Sequence, residues 1–329
     1  MADKIKLAMV GCGGIGNWHL SRLKTYSDVE FVGFMDVIPE RADAMVTATG
    51  QGKRYGDVAG MLDAGKPDAL YICVPPAQHG HIEMAAIERG IHFLVQKPIG
   101  LDMGLAHKIE TAAEKKNIIT CVGFQDRYLD LVPYIQKFVA ENEIGLVTGA
   151  WVGGIPGVDW WRKMDTSGGQ VVEQNIHLFD YLRFFFGEAA EVSAFGRRGL
   201  VRIDDWLKGY DVHDCSSANV LMKNGIIVNM LTGDYLTDGG NVKCGMTFYA
   251  KDGTLDYVLR DRVVYKGAKG DYEVKTQKDQ GEDLDRTFIE AVKSGDGSKI
   301  RSPYADAART LALTLACNTS METGKTVKL

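Results

Sequence analysis

The sequence predicts an α/β protein, with a doubly wound parallel sheet at its N-terminal end and then an α+β half built on a large, open, mainly antiparallel sheet. Two observations predict this fold. Up to about Val122, short apolar runs alternate with amphipathic stretches, as strands and crossover helices do in a parallel sheet. Beyond that point, longer alternating segments are joined by hairpin signals, which favour antiparallel pairing.

The length and the change of pattern predict two domains. A chain of 329 residues exceeds the roughly 250 to 300 residues at which a single core stops growing. We place the first domain at residues 1–122 and the second at residues 123–329. The boundary rests on the change of pattern near Gly123 alone.

Each predicted element follows from a local pattern. Strands are expected at 6–10, 31–36, 70–74, 92–95 and 118–122, which are short apolar runs. Crossover helices are expected at 82–89, ended by Gly90, and at 102–116, capped by Asp102. In the second half, Asn224-Gly225 before 226–230 and Asp252-Gly253 before 254–259 indicate hairpins. Further helices are expected at 170–186, 284–292 and 305–322.

Composition and charge limit the partners. The net charge is −5 and no run of Lys or Arg exceeds two residues, so nucleic acid is not expected to bind. No apolar stretch approaches the roughly 18 residues of a membrane span, and the opening residues Met1 to Lys4 do not resemble a secretory leader. We therefore expect a cytoplasmic protein without a membrane partner.

The sequence does not predict a metal site. Six scattered cysteines never form a CxxC pair and are expected to be reduced and mostly buried. They are Cys12, Cys73, Cys121, Cys215, Cys244 and Cys317. Asp211, His213 and Asp214 could ligate an ion, but a polar strand edge accounts for them more simply.

A glycine-rich turn follows the first predicted strand. Residues Gly11-Cys12-Gly13-Gly14-Ile15-Gly16 have the G-x-G-x-x-G spacing between a strand and a helix, which is the fingerprint of a Rossmann dinucleotide-binding fold. Gly11 permits the tight turn, Gly13 lets backbone N–H groups approach a pyrophosphate, and Gly16 lets the helix pack on the strand. The N-terminus of that helix then faces the anion.

An acidic residue at the end of the second strand favours NAD over NADP. Asp36 stands twenty residues after Gly16, where its carboxylate can accept both ribose hydroxyls and repel a 2′-phosphate. Arg41 weakens this preference, because arginine can pair with a 2′-phosphate or stack on adenine. NAD is the predicted cofactor and NADP the alternative.

Lys97 is a candidate catalytic residue. It follows a predicted parallel strand in Val95-Gln96-Lys97-Pro98, and doubly wound folds bind ligands at such strand ends. An ammonium there can stabilise negative charge on a reacting oxygen while a hydride departs, and Pro98 makes the loop rigid. The alternative is a solvated lysine, the commoner situation for this residue.

A second candidate group lies in the predicted helix 170–186. Glu173, His177 and Asp180 fall at i, i+4 and i+7, so one face of a continuous helix would carry all three. An imidazole, with an ordinary pKa of about 6.5, suits a base that takes an alcohol proton, and Glu173 or Asp180 can orient it. The alternative is a helix surface with incidental polar residues.

Taken in order, these motifs resemble the Gfo/Idh/MocA family, named for glucose–fructose oxidoreductase and inositol dehydrogenase. The likeness runs nearly end to end. It includes residues 11–19, which end in His19, Val74-Pro75-Pro76 with His79, Lys97-Pro98, Gly123-Phe124 with Arg127, Trp161-Arg162, His177-x-x-Asp180, and residues 320–327. The resemblance implies a Rossmann domain, an open-sheet domain, a substrate between them, and a homodimer or homotetramer formed through the second sheet.

The resemblance also implies a role for individual residues. Lys97 and His177 become the catalytic pair, and Glu173 takes the place of the family's usual aspartate. Together with the motifs, it gives as cofactor-binding residues Gly11, Gly13, Gly14, Ile15, Gly16, Asp36, Arg41, Val74, Pro75, His79, Gln96, Lys97, Trp161 and Arg162. The predicted substrate residues are Lys97, Arg127, Trp160, Glu173, His177, Asp180 and Tyr235. The aromatic ones are included because such rings stack on sugars, and core packing or cofactor contact is the alternative for them.

Three positions depart from the family pattern. Gln96 replaces the usual glutamate of Glu-Lys-Pro, which removes one charge beside Lys97. Glu173 replaces the usual aspartate of D-x-G-x-H, which lengthens the acid by one methylene, and Asn175 fills the glycine position. Because Lys97 and His177 both remain, we expect the chemistry to be retained.

The expected function is oxidation of a secondary hydroxyl of a sugar, inositol or glycoside by NAD, with Lys97 and His177 as the acid–base pair. Some relatives instead oxidise a glycoside transiently with recycled NAD and cleave it by elimination, which the redox residues cannot distinguish. A non-catalytic dinucleotide-binding regulator is the third reading, and retention of Lys97 and His177 argues against it.

Overall fold

The computed structural model describes residues 4–204, 207–237, 241–268 and 270–329. The chain divides into two compact units. The first runs to Tyr128 and also contains Asp279–Ala308, and the second consists of Leu129–Lys278 and Arg309–Leu329. The sequence placed Asp279–Ala308 in the second domain. It belongs to the first unit because Leu284, Phe288 and Ile289 are buried in that unit's apolar core.

The secondary structure follows the chain in this order. The strands are β1 (Ile5–Val10), β2 (Val29–Met35), β3 (Ala69–Ile72), β4 (His92–Val95), β5 (Thr120–Val122), β6 (Ile144–Gly154), β7 (Ala189–Arg197), β8 (Cys215–Met222), β9 (Ile227–Leu236), β10 (Asn241–Ala250), β11 (Gly253–Val258), β12 (Arg262–Gly267), β13 (Tyr272–Lys275) and β14 (Val327–Lys328). The helices are α1 (Gly14–Leu23), α2 (Pro39–Thr49), α3 (Val58–Gly65), α4 (His81–Glu88), α5 (Met103–Lys115), α6 (Val132–Glu141), α7 (Met164–Ser167), α8 (Gln170–Glu173), α9 (Ile176–Phe186), α10 (Gln280–Ser294) and α11 (Tyr304–Thr323).

The first unit contains a parallel sheet with strand order β2-β1-β3-β4-β5. All five predicted strands and both predicted crossover helices are confirmed, with ends that differ by at most two residues. The side chain of Asp102 accepts a hydrogen bond from the Leu105 N–H and caps α5 as predicted. The order reverses between β1 and β3, so ligands are expected at the carboxyl ends of these two strands.

The second unit contains a sheet with order β13-β12-β11-β10-β6-β9-β8-β7-β14 among the described residues. The pairs are antiparallel except for β6 with β9, which is parallel. Both predicted hairpins are confirmed, β8 to β9 and β10 to β11. Apolar residues of α6, α9 and α11 cover one face of the sheet and form the core of this unit.

The predicted helix 170–186 is two helices. α8 ends at Glu173, and α9 begins at Ile176. Asn175 lies at the break and donates from Nδ2 to Thr232 Oγ1 at 2.6 Å, so this side chain bonds β9 instead of supporting a continuous helix. The prediction that one helix face carries Glu173, His177 and Asp180 is therefore wrong, although His177 and Asp180 share α9.

The cysteines and helices give two further findings. All six cysteines are free, and four of them are buried. Burial raises the pKa of Cys12, Cys121 and Cys317 to about 12, so these thiols stay protonated at neutral pH. Within the described ranges, every helix is too short or too polar to cross a bilayer.

Candidate active site

The glycine turn after β1 is shaped by contacts that exclude a side chain. Gly11 has φ of +86°, and a Cβ there would lie 2.2 Å from the Cys73 carbonyl oxygen. A Cβ at Gly16 would lie 2.3 Å from the Gly11 carbonyl oxygen. Around Gly14, in contrast, a Cβ would meet no atom within 4 Å. The turn thus lies in close contact with the residue that follows β3, and it leaves open space at the start of α1. This open space suits a dinucleotide pyrophosphate.

The Asp36 carboxylate is fixed beside this turn. Its Oδ2 accepts the Cys12 N–H at 2.7 Å and its Oδ1 accepts the Ile38 N–H at 2.8 Å. Arg41 lies close by, with Nη1 3.9 Å from the position of a Cβ on Gly13. An acidic acceptor and a cation therefore flank the glycine turn, at the place where a ribose and a phosphate would lie.

Two exposed apolar residues next to Asp36 were missed by the sequence reasoning. Val37 is 86% exposed and Ile38 is 40% exposed. Ile15, at the start of α1, is also exposed. Apolar side chains left in solvent beside a polar anchor suit the flat face of an adenine. The signal was available in the sequence, because an apolar pair directly follows the carboxylate at the strand end.

A buried histidine–glutamate pair joins the loop after β3 to α4. His79 Nδ1 lies 2.6 Å from Glu83 Oε1, and Glu83 Oε2 accepts the Gly80 N–H at 2.6 Å. Burial opposes ionisation of Glu83, but His79 and the Gly80 N–H hold its pKa below the usual value. Val74 and Pro75, earlier in the loop, are half-buried. Glu83 was not among the predicted residues, although an i,i+4 spacing joins it to His79.

The residues around Lys97 lie at the end of β4. Lys97 is half-buried, and its peptide bond to Pro98 is cis. Gln96 points into the interior, where its Nε2 lies 2.6 Å from His19 Nε2. A Cβ on Gly123 would lie 2.5 Å from the Gln96 side chain, so this glycine makes room for it. The Gln96 side chain is thus hydrogen-bonded to His19, which differs from the direct cofactor contact that the resemblance implies.

Arg127 makes a hydrogen bond and an ion pair with other residues of the first unit. It is buried, and its Nη1 donates to the Arg301 carbonyl oxygen at 2.6 Å. Its Nη2 lies 2.6 Å from Asp306 Oδ2. The predicted substrate role of Arg127 would have to act through these contacts.

The predicted acid–base residues of the second unit are buried. The His177 ring lies against Trp151, with centroids 6.0 Å apart and planes at 30°. Asp180 Oδ1 accepts the Thr310 hydroxyl at 2.9 Å, and Glu173 is buried at the end of α8. Trp151 was not predicted, because nothing near it in the chain indicates its neighbour on α9.

Trp160 and Trp161 stack on one another, with centroids 5.8 Å apart and planes at 19°. Both are half-buried, as is Tyr235 at the end of β9. The Trp161 indole N–H donates to Gln170 Oε1 at 2.8 Å. Arg162 is buried and donates from Nε to the Pro156 carbonyl oxygen at 2.9 Å. An outer face of such a stack is of the kind that packs against a sugar ring.

The three residues considered as metal ligands have other partners. Asp211 Oδ1 accepts the Met164 N–H at 2.7 Å, and Asp214 Oδ2 accepts the Leu200 N–H at 2.5 Å. His213 Nε2 lies 3.6 Å from Glu322. In the part of the chain that the structure describes, no group of three or more His, Cys, Asp or Glu residues is arranged to hold a metal ion.

Comparison with known proteins gives matches in both halves of the chain. A family model described as "Oxidoreductase family, NAD-binding Rossmann fold" matches residues 5–124, and the GFO/IDH/MocA C-terminal domain model matches residues 134–256. The chain is 25% identical to myo-inositol 2-dehydrogenase of Thermotoga maritima over 342 aligned positions, which cover 99% of this chain and 98% of the relative. It is 26% identical to glucose-6-phosphate 3-dehydrogenase of Bacillus subtilis, over 69% of this chain and 67% of the relative.

The fold also matches solved structures. Levoglucosan dehydrogenase, solved in complex with NADH and levoglucosan, superposes with a TM-score of 0.88 at 17% sequence identity. The match covers 99% of both chains. This likeness supports the fold described above for each unit.

Proposed function

The chain belongs to the Gfo/Idh/MocA family of NAD-dependent oxidoreductases, and we propose that it oxidises a secondary hydroxyl of a sugar, inositol or glycoside with NAD as hydride acceptor. Three relatives of this chain are named as dehydrogenases of inositol, of glucose 6-phosphate and of a glucoside. The observation that carries the proposal is Asp36, which two backbone N–H groups fix beside the glycine turn. Such a carboxylate accepts ribose hydroxyls and disfavours a 2′-phosphate.

The residues of the chain supply the acid–base chemistry. The glycine turn and Asp36 would hold NAD, which would supply the acceptor for the hydride of the carbinol carbon. Lys97 holds the substrate oxygen through its ammonium and stabilises the negative charge that develops there. His177 takes the hydroxyl proton on a ring nitrogen, and Glu173 orients it. Burial of His177 against Trp151 limits the access of water to the base.

The test is a panel of sugars, inositols and glycosides, assayed for NADH formation, with NADP in parallel. With the best substrate, Lys97→Met and His177→Ala should each lower kcat by about 10² or more. Lys108→Met, which changes an exposed lysine on α5, is the control and should leave kcat unchanged. Retained turnover in both site variants would refute the assignment. Release of an aglycone without net NADH would favour the elimination chemistry instead.

The preference for NAD has its own test. Asp36→Ser removes the negative charge and weakens the anchor to the Cys12 N–H. The ratio of kcat/KM for NAD to that for NADP should fall by about tenfold or more, since the repulsion of a 2′-phosphate is lost. An unchanged ratio would mean that Asp36 does not select the cofactor.

We further propose that the chain forms a homodimer or homotetramer through the open face of the second sheet. Leu146, Ile227 and Leu221 lie side by side on β6, β9 and β8, and they are 41%, 55% and 39% exposed. Neighbouring apolar side chains in solvent indicate an interaction surface. Light scattering should give a mass above that of one chain, and Ile227→Glu should reduce it. A monomeric wild type would contradict the proposal.

A further inference from the structure

A buried acidic group lies beneath the predicted substrate residues of the second unit. Asp234, on β9, is only 1% exposed, and it directly precedes Tyr235. Asp214 is also fully buried, and its carbonyl oxygen accepts the Asp234 N–H at 3.0 Å. Neither carboxylate belongs to the acid–base group proposed above. Burying a carboxylate costs free energy, so the presence of these two requires an explanation.

The hydrogen bonds of Asp234 run in two directions. Gln170 donates from its Nε2 to Asp234 Oδ2. The Tyr210 hydroxyl donates to Asp234 Oδ1 at 3.3 Å. Asp234 is thus hydrogen-bonded to Gln170, the first residue of α8, and to Tyr210 in a loop. We call these hydrogen bonds the first and the second arm of Asp234.

The first arm continues through Gln170 to the indole ring of Trp161. While its Nε2 donates to Asp234, its Oε1 accepts the Trp161 indole N–H at 2.8 Å. An indole can only donate and a carboxylate can only accept, so the amide has a single favourable orientation. Trp161 in turn stacks on Trp160. The same carboxylate therefore sets the positions of both rings and of the helix that ends at Glu173.

We propose that Asp234 is a positioning residue that, through Gln170, holds the Trp160–Trp161 stack in place, so that an outer face of the stack can take a pyranose or inositol ring. This rests on the proposed function, since the rings serve a sugar only if the chain binds one. The ionised carboxylate is the stronger acceptor for the Gln170 amide. Gln170 and Tyr210 donate hydrogen bonds to its two oxygens and favour its ionised form, while burial and then the charge of Asp214 oppose ionisation.

The kinetic test compares the two arms of Asp234. Gln170→Met keeps the side-chain volume but removes both bonds of the first arm. It should raise KM for the best sugar about tenfold, with kcat changed less than twofold, as expected for lost ground-state binding. Asp234→Asn, which keeps an acceptor, should have a smaller effect in the same direction.

Tyr210→Phe is the matched control, because it removes one hydrogen bond from the same carboxylate and leaves the Gln170 arm intact. Its KM should stay within twofold of the wild-type value. A rise in KM as large as that of Gln170→Met would mean that Asp234 has a structural role alone. An unchanged KM in Gln170→Met would also overturn the proposal.

A spectroscopic test separates this proposal from the proposed function. Gln170→Met should change the tryptophan bands of the near-ultraviolet circular dichroism spectrum in the wild-type background but not in a Trp161→Phe background. Identical changes in both backgrounds would overturn the link to Trp161. If no compound yields NADH, the proposed function fails, yet this measurement still reports on the link from Asp234 to Trp161.

Discussion

His19 and Asp285 form a fully buried pair in the first unit, with Nδ1 of the imidazole 2.6 Å from Oδ1 of the carboxylate. The two residues are 266 positions apart in the chain. Because the Nδ1–H donates to Asp285, the Nε2 lone pair is left to accept from the Gln96 amide at 2.6 Å. The pair thus links α10 to the residue that precedes Lys97.

Asp285→Asn should strongly destabilise the first unit. Asp285 Oδ2 also accepts from Arg22 Nε at 2.9 Å, so the substitution leaves a buried guanidinium without its main counter-charge. The expected loss of unfolding free energy is about 3 to 5 kcal/mol, as for other buried pairs broken from one side. Urea unfolding of the purified protein measures it.

The control for this prediction is Asp63→Asn, which breaks the pair of an exposed carboxylate with Arg89 at 2.7 Å. Solvent screens that pair, so the urea midpoint should change little. Equal losses in the two variants would contradict a special role for Asp285.

Gln96→Glu should make stability depend on pH. A carboxylate at this position would face the Nε2 lone pair of His19, so the folded variant has to hold one additional proton between the two groups. Its stability relative to the wild type should therefore be highest at low pH and fall as pH rises. Thermal unfolding at about pH 5.5 and about pH 8.5 measures the trend. A difference that does not vary with pH would contradict it.

Asp234→Asn should show the opposite trend. Burial, assisted by the charge of Asp214, raises the pKa of Asp234 to about 7. The folded wild type therefore binds a proton more tightly than the unfolded chain does, and this contribution to stability is lost as pH rises through about 7. The asparagine has no such loss, so its melting temperature relative to the wild type should increase from about pH 5.5 to about pH 8.5.

Glu30→Gln removes an exposed carboxylate on β2 and serves as the control for Asp234→Asn. Its melting temperature relative to the wild type should show no such rise. The prediction for Asp234 would be refuted by equal trends in the two variants.

Gly11→Ala should destabilise the protein and weaken dinucleotide binding together. The added Cβ would lie 2.2 Å from the Cys73 carbonyl oxygen at φ of +86°, a backbone conformation that costs a residue other than glycine about 1 kcal/mol or more. The turn must shift, which moves the Cys12 N–H away from Asp36. Thermal unfolding and an NADH titration check the two effects.

Gly56→Ala is the matched substitution, because a Cβ there would meet no atom within 4 Å. It should leave the Kd of NADH unchanged and raise stability slightly, by roughly 0.4 to 1 kcal/mol at most. Normal NADH binding in Gly11→Ala would show that the turn tolerates a side chain.

The sequence determined the features that depend on neighbours in the chain. The strands of the first unit follow from short apolar runs. The turn after β1 follows from its glycines, because its backbone has a positive φ at Gly11 and approaches other backbone atoms too closely for a side chain. The two hairpins follow from Asn224-Gly225 and Asp252-Gly253. Each of these patterns acts over a few residues, so it can be read before the fold is known.

Only the tertiary structure decided which distant side chains meet. No local pattern indicates that α10 joins the first core, that Asp285 binds His19, or that Trp151 lies against His177. The break before α9 likewise depends on Thr232, 57 positions from Asn175. Hydrogen bonds and packing between remote segments form only after the chain has folded, and they place the buried charges that local pattern cannot locate.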